Sequence, residues 1–89
     1  YEATAPETYR ARHAAGIAEP LTPRPDGRSE YKASTMAPAL HGRPPERLVV
    51  RHVLVTDGAG LWALVHTRPA DRTPSAAFDD LCASFKPKG

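Results

Sequence analysis

The chain of 89 residues contains no Asn and no Gln, one Ile at position 17 and one cysteine, Cys82. A single thiol cannot form an internal disulfide framework, nor can it build a Cys-based zinc site. No stretch approaches the run of about 18 apolar residues that a membrane-spanning helix needs. Neither charge sign dominates: twelve Lys and Arg stand against ten Asp and Glu, a net charge of +2. That balance is too weak to argue for specific nucleic-acid binding, although a pI near 9.0 leaves that reading open. There is no Walker loop, no G-x-G-x-x-G and no G-x-S-x-G, so no nucleotide-cradling or nucleophile-elbow motif. The chain opens on Tyr1 rather than Met and shows no signal peptide, so an upstream segment is expected.

What is abundant is Ala (fifteen), Pro (ten) and Arg (nine, against three Lys). This is the pattern of a GC-rich bacterial genome, and it weakens any functional reading of the Arg content itself. A length of 89 residues makes one small domain, 1–89, or a fragment of one.

Thr4-Ala5-Pro6-Glu7 reads as a capping box, and Tyr9, His13 and Ile17 follow at four-residue spacing, which predicts a helix over 5–18. Three prolines and Asp26-Gly27 make a loop of 20–27. Pro20 and Pro23 there form a P-x-x-P pair, but its basic residue is badly placed for a peptide ligand. Residues 28–36 alternate as a short strand, with Tyr31, Ala33 and Thr35 against Glu30, Lys32 and Ser34. A second breaker loop spans 37–45. The clearest pattern is a hairpin over 47–67, two Val- and Leu-rich runs around Asp57-Gly58-Ala59-Gly60.

A two- or four-residue turn gives the hairpin the same division of faces. Leu48, Val50, His52, Leu54, Thr56, Leu61, Ala63, Val65 and Thr67 fall on one side; Val49, Arg51, Val53, Val55, Trp62, Leu64 and His66 fall on the other. Both are largely apolar, so the sheet is expected to be covered on both faces, with Trp62 mostly buried beside Val53 and Val55. Thr73-Pro74 starts a helix over 74–85, whose Phe78, Leu81, Cys82 and Phe85 form one apolar stripe. The fold class is therefore α+β, a small antiparallel sheet with helices packed on both faces.

The chemistry-bearing residues do not converge. His52 and His66 fall on opposite faces of the hairpin, and His13 and His41 lie on other segments, so no metal ligand set forms. Cys82 sits on a buried stripe, where a thiol is inert rather than activated. Asp79-Asp80 reads as a solvated start of a helix. Arg51, Trp62 and His66 share one face: either a cationic, aromatic patch that contacts a partner, or a sheet margin where Arg51 snorkels and His66 reaches water. No catalytic, cofactor or metal residues are assigned.

The stretch from Leu40-His41-Gly42-Arg43-Pro44 through the hairpin to Ala77-Phe78-Asp79-Asp80-Leu81-Cys82-Ala83-Ser84-Phe85 resembles the carboxy-terminal part of PsbP-like domains, the family that includes DcrB-type and LpqN-type bacterial proteins. The resemblance implies an antiparallel sheet between helical layers and a role in binding rather than catalysis. The family's amino-terminal strands have no counterpart here, which implies an incomplete sheet, either a fragment or one completed by another chain. The expected function is a non-enzymatic protein-interaction or accessory domain without cofactor; the alternative is a structural subunit ordered mainly by its partners. The partner is another protein or a second copy, with Tyr31–Thr35 or a hairpin strand as the exposed edge. The expected setting is the bacterial cytoplasm or envelope, as a membrane-peripheral lipoprotein if the upstream segment carries an anchor.

Overall fold

The computed structural model describes residues 1–13, 17–38, 42, 44–57 and 59–86. Its elements are α1 (Pro6–Arg12), β1 (Ile17–Ala18), β2 (Thr22–Pro23), β3 (Ser29–Ala37), β4 (Glu46–Thr56), β5 (Leu61–Pro69) and α2 (Ala76–Ser84). Expectations that fall on residues 14–16, 39–41 and 43, on Gly58 and on Pro87 lie outside the described residues.

The five strands form one antiparallel sheet in the order β1-β3-β4-β5, with β2 also pairing β3. The hairpin turns through four residues, and its register sets Leu54 opposite Ala63 and Val55 opposite Trp62. That is the face division expected from the sequence. Asp57 holds the turn by accepting from the backbone N–H groups of Ala59 and Gly60.

Each face carries its own core. On one side Tyr9 of α1 packs among Tyr31, Ala33, Leu54 and Leu61. On the other, Phe78 and Cys82 of α2 pack on Val53, with Leu64 beside them. Strand alternation puts these two clusters on opposite faces of the sheet, so the domain has three layers. Tyr31, Val53, Leu54, Leu61 and Cys82 are essentially sealed from solvent.

Four expectations are corrected. The first helix is α1, Pro6–Arg12, not 5–18; its N-cap is Ala5 without a side-chain bond, so Thr4 does not close a capping box. Ile17 and Ala18 are not helical. They pair with Ser34 and Ala33, satisfying main-chain groups along β3, and Ile17 is 78% exposed. The 20–27 loop contains β2, with Thr22 opposite Glu30 and Pro23 opposite Ser29. A proline is tolerated there because β2 lies at the sheet margin. Tyr31–Thr35 is not an edge: it lies inside β3, between β4 and β1. Finally, α2 begins at Ala76 because Ser75, not Thr73, is the cap, its hydroxyl accepting from the Phe78 N–H at 3.1 Å. Of its expected stripe, Phe78 and Cys82 are buried, whereas Leu81 is 54% exposed.

Candidate functional site

Three groups of residues could carry function: the charged cluster beneath α2, the aromatic cluster beneath α1, and the outer edge of β5.

Under α2, β4 points Arg51 inward, where only 4% of it is exposed. A guanidinium in such a place needs carboxylates. Its Nη2 donates to Glu30 Oε1 at 2.7 Å and to Asp79 Oδ1 at 2.6 Å. Arg24 completes the cluster, donating to Glu30 at 2.7 Å and to Asp26 at 3.0 Å. Burial works against the charged form of Arg51, but the bonds from Asp79 and Glu30 outweigh it and hold the proton more firmly. The Arg51 bond holds the Asp79 carboxyl below its ordinary range, against the opposing effect of burial. Arg28 donates to the carbonyls of Cys82 and Phe85, tying down the carboxy-terminal end of α2. Burial pushes the Cys82 thiol up, and the nearby Arg24 and Arg51 charges do not reverse this.

The three residues singled out in the sequence all lie on this face. Arg51 and His66 are directly opposed across β4 and β5. Phe78 covers both, its ring centre 5.1 Å from the Arg51 guanidinium carbon and 5.1 Å from the His66 ring. Trp62 lies farther along β5, half-buried between Tyr1 and Phe85 at 5.0 and 6.0 Å. The patch is thus roofed by α2; Nη2 of Arg51 is taken up by internal pairs, while its Nε and Nη1 are buried without a hydrogen-bond partner among the described residues. Sequence reasoning missed Glu30 and Arg24 as its partners. The available signal was an Arg at an inward position of an apolar strand, which demands a buried acid.

Under α1, the Tyr31 and His52 rings stack at 4.5 Å, and Tyr9 Oη lies 3.1 Å from His52 Nδ1, the hydroxyl donating where that nitrogen is unprotonated. Burial, reinforced by the charge of His13, keeps the His52 pKa below its ordinary value. Burial pushes the Tyr31 phenol up to about 12. Among the described residues, no group of three or more His, Cys, Asp or Glu side chains is placed to share a metal ion.

The β5 edge is built by the main chain. Leu61 donates to the Glu2 carbonyl at 2.8 Å and accepts from the Glu2 N–H at 3.0 Å. This crossing requires Gly60, because a Cβ there would stand 2.3 Å from the Glu2 carbonyl oxygen. Leu61 therefore turns both main-chain groups away from β4. Alternation turns those of Ala63, Val65 and Thr67 the same way, while Trp62, Leu64, His66 and Arg68 direct theirs at β4. Among the described residues no main-chain bond reaches these three outward positions. Val65 is 50% exposed. No family model, curated protein or solved structure matches the chain.

Proposed function

We propose that this chain is a non-enzymatic protein-interaction domain, of the PsbP-like or DcrB-like type, that engages its partner by strand addition at β5. The observation that carries the reading is the outward trio Ala63, Val65 and Thr67 on a nine-residue strand, whose main-chain N–H and C=O groups meet no partner among the described residues. Such a row is a template for another strand. The opposite margin of the sheet is closed by two-residue strands containing Pro23 and flanked by Pro20. The charged side chains under α2 serve one another rather than a cleft, which favours binding over catalysis. The three-layer arrangement is in keeping with the resemblance to PsbP-like domains.

Amide hydrogen exchange tests this reading. In dilute protein Ala63, Val65 and Thr67 should exchange fast, and Trp62, Leu64 and His66, bonded to β4, should exchange slowly. Uniformly slow exchange of all six at every dilution would mean that the edge is already covered, and the reading would fall.

A further inference from the structure

The geometry points to an anionic lipid surface as the partner of the uncovered half of the α2 face, a surface separate from the β5 edge.

Helix α2 is too short to roof its side of the sheet. Its nine residues reach about 14 Å, whereas the eleven residues of β4 reach about 36 Å. The register fixes what lies beyond the roof. Val49 stands between Ser34 and Arg68, Met36 stands beside Arg47, and Ile17 stands beside Ser34. These positions share the face of Arg51 and its cross-strand partners Lys32 and His66, by strand alternation. Tyr1 and Phe85 both pack against Trp62, which lies about 20 Å along β5 from Arg68 at the other end of the sheet.

Two properties set this half apart. The first is protruding apolar side chains. Ile17 is 78% exposed and Met36 55%, and the two border a common groove of about 380 Å³ with Arg47 and Ser34. The second is charge without counter-charge. In the covered half Arg24 and Arg51 are both paired with carboxylates. In the uncovered half Lys32, Arg47 and Arg68 form no ion pair among the described residues. Arg68 donates to the carbonyls of Pro69 and Arg72, which leaves its charge unneutralised. Glu19 is the acid on the rim, its N–H bonded to the Lys32 carbonyl. Glu46 is opposite Ala37, so alternation turns it to the other face.

The chemistry of the partner follows from the two together. Three cations against one carboxylate attract a negative surface. A side chain that receives a folded protein lies down where it can pack; Ile17 and Met36 instead stand out beside the cations. That arrangement suits a bilayer boundary, where the apolar groups enter the acyl region and Lys and Arg meet anionic headgroups. A lipid surface also demands no shape complement, so a pleated sheet face is sufficient.

Co-sedimentation of the full chain with vesicles tests the inference. Binding is expected to vesicles of phosphatidylglycerol and phosphatidylcholine in equal parts, and not to phosphatidylcholine alone. It should fall steeply at about 1 M salt, where the screening length is about 3 Å. Arg47→Glu should weaken it roughly 10-fold or more, and Ile17→Ser roughly 5-fold. Glu19→Gln removes the rim carboxylate and should strengthen it by a factor of about 2 to 5. Arg12→Glu, on the helix that covers the opposite face, changes net charge as Arg47→Glu does and should have little effect. All four positions are exposed, where such changes leave the fold intact. No binding to the mixed vesicles, equal binding to phosphatidylcholine alone, or equal weakening by Arg12→Glu and Arg47→Glu would overturn the inference. So would tighter binding to a synthetic amphipathic helix of Leu and Glu than to the vesicles, which would assign the patch to an acidic protein segment.

Discussion

The two faces of the sheet solve burial in different ways. Beneath α1 the enclosed polar atoms belong to neutral rings, Tyr9, Tyr31 and His52, joined by stacking and one hydrogen bond. Beneath α2 they belong to full charges, with Arg51 and Glu30 among the least exposed residues of the chain. A neutral polar group costs less to enclose than a charge, which is tolerable only while its counter-charges stay in place. The α1 face should therefore lose stability gradually when a group is altered, and the α2 face abruptly. A helix of seven residues on one face and nine on the other cannot account for that difference through apolar area alone.

The largest expected effect breaks the charged face. Arg51→Met keeps the aliphatic stem but leaves the enclosed Glu30 with Arg24 alone, and should cost roughly 3 kcal/mol. Adding Glu30→Gln should return part of that loss. Tyr9→Phe, which removes only the hydroxyl that meets His52, should cost about 1 kcal/mol. Denaturant midpoints at neutral pH make the comparison. Equal costs for the two single variants would show that the ion cluster adds nothing beyond packing.

The contrast between faces was only half legible in the sequence. The hairpin and its face division were readable because period-two alternation on both sides of an Asp-Gly turn leaves few registers. The apolar α2 contacts, Phe78 and Cys82 on Val53, follow from the same periodicities. The charged cluster was not readable. Arg24, Glu30, Arg51 and Asp79 come from four separate segments, and no local spacing relates them. Nor were β1 and β2. A two-residue strand has no periodicity, and its pairing is dictated by the main-chain groups that β3 presents rather than by its own side chains. Ile17 shows the cost of reading periodicity alone: its spacing from Tyr9 and His13 suggests a helical stripe, yet it lies exposed in the sheet.

pH separates the faces further. His52 is held below its ordinary value of 6.5 in the folded state. As pH falls through 6.5, the unfolded chain takes up a proton that the folded chain refuses, so stability declines until the lower folded value is reached. At the alkaline end Tyr31, raised from 10.0 to about 12, gives stability that is complete below pH 10 and lost as pH rises toward 12. Asp79 works in another range. Its folded value lies below 3.8, so its contribution is intact above 3.8 and disappears as pH falls through the folded value. The α1 face should thus yield first to mild acid and the α2 face only to strong acid. Thermal midpoints across this range check the order. His52→Phe should flatten the decline below about pH 6.5 and leave the strongly acidic arm unchanged. If the variant declines as the native chain does, the mild-acid arm belongs elsewhere.

The smallest effect distinguishes how the two covering helices are started. Helix α2 is closed by the Ser75 hydroxyl on the Phe78 N–H, directly above the charged cluster, whereas α1 begins at Ala5 with no side-chain cap. Ser75→Ala should cost roughly 1 kcal/mol, because it leaves an amide at the first turn without its acceptor. Thr73→Ala and Thr4→Ala, at the two positions where sequence alone places a cap, should each change stability by less than about 0.5 kcal/mol. Loosening the first turn of α2 also loosens Asp79, which lies in that turn and holds Arg51. The cost of Ser75→Ala should therefore shrink when Asp79→Asn is already present, a coupling that a double-mutant cycle reads directly. Additive costs would mean that the cap serves the helix alone, and that the ion cluster positions Asp79 without its help.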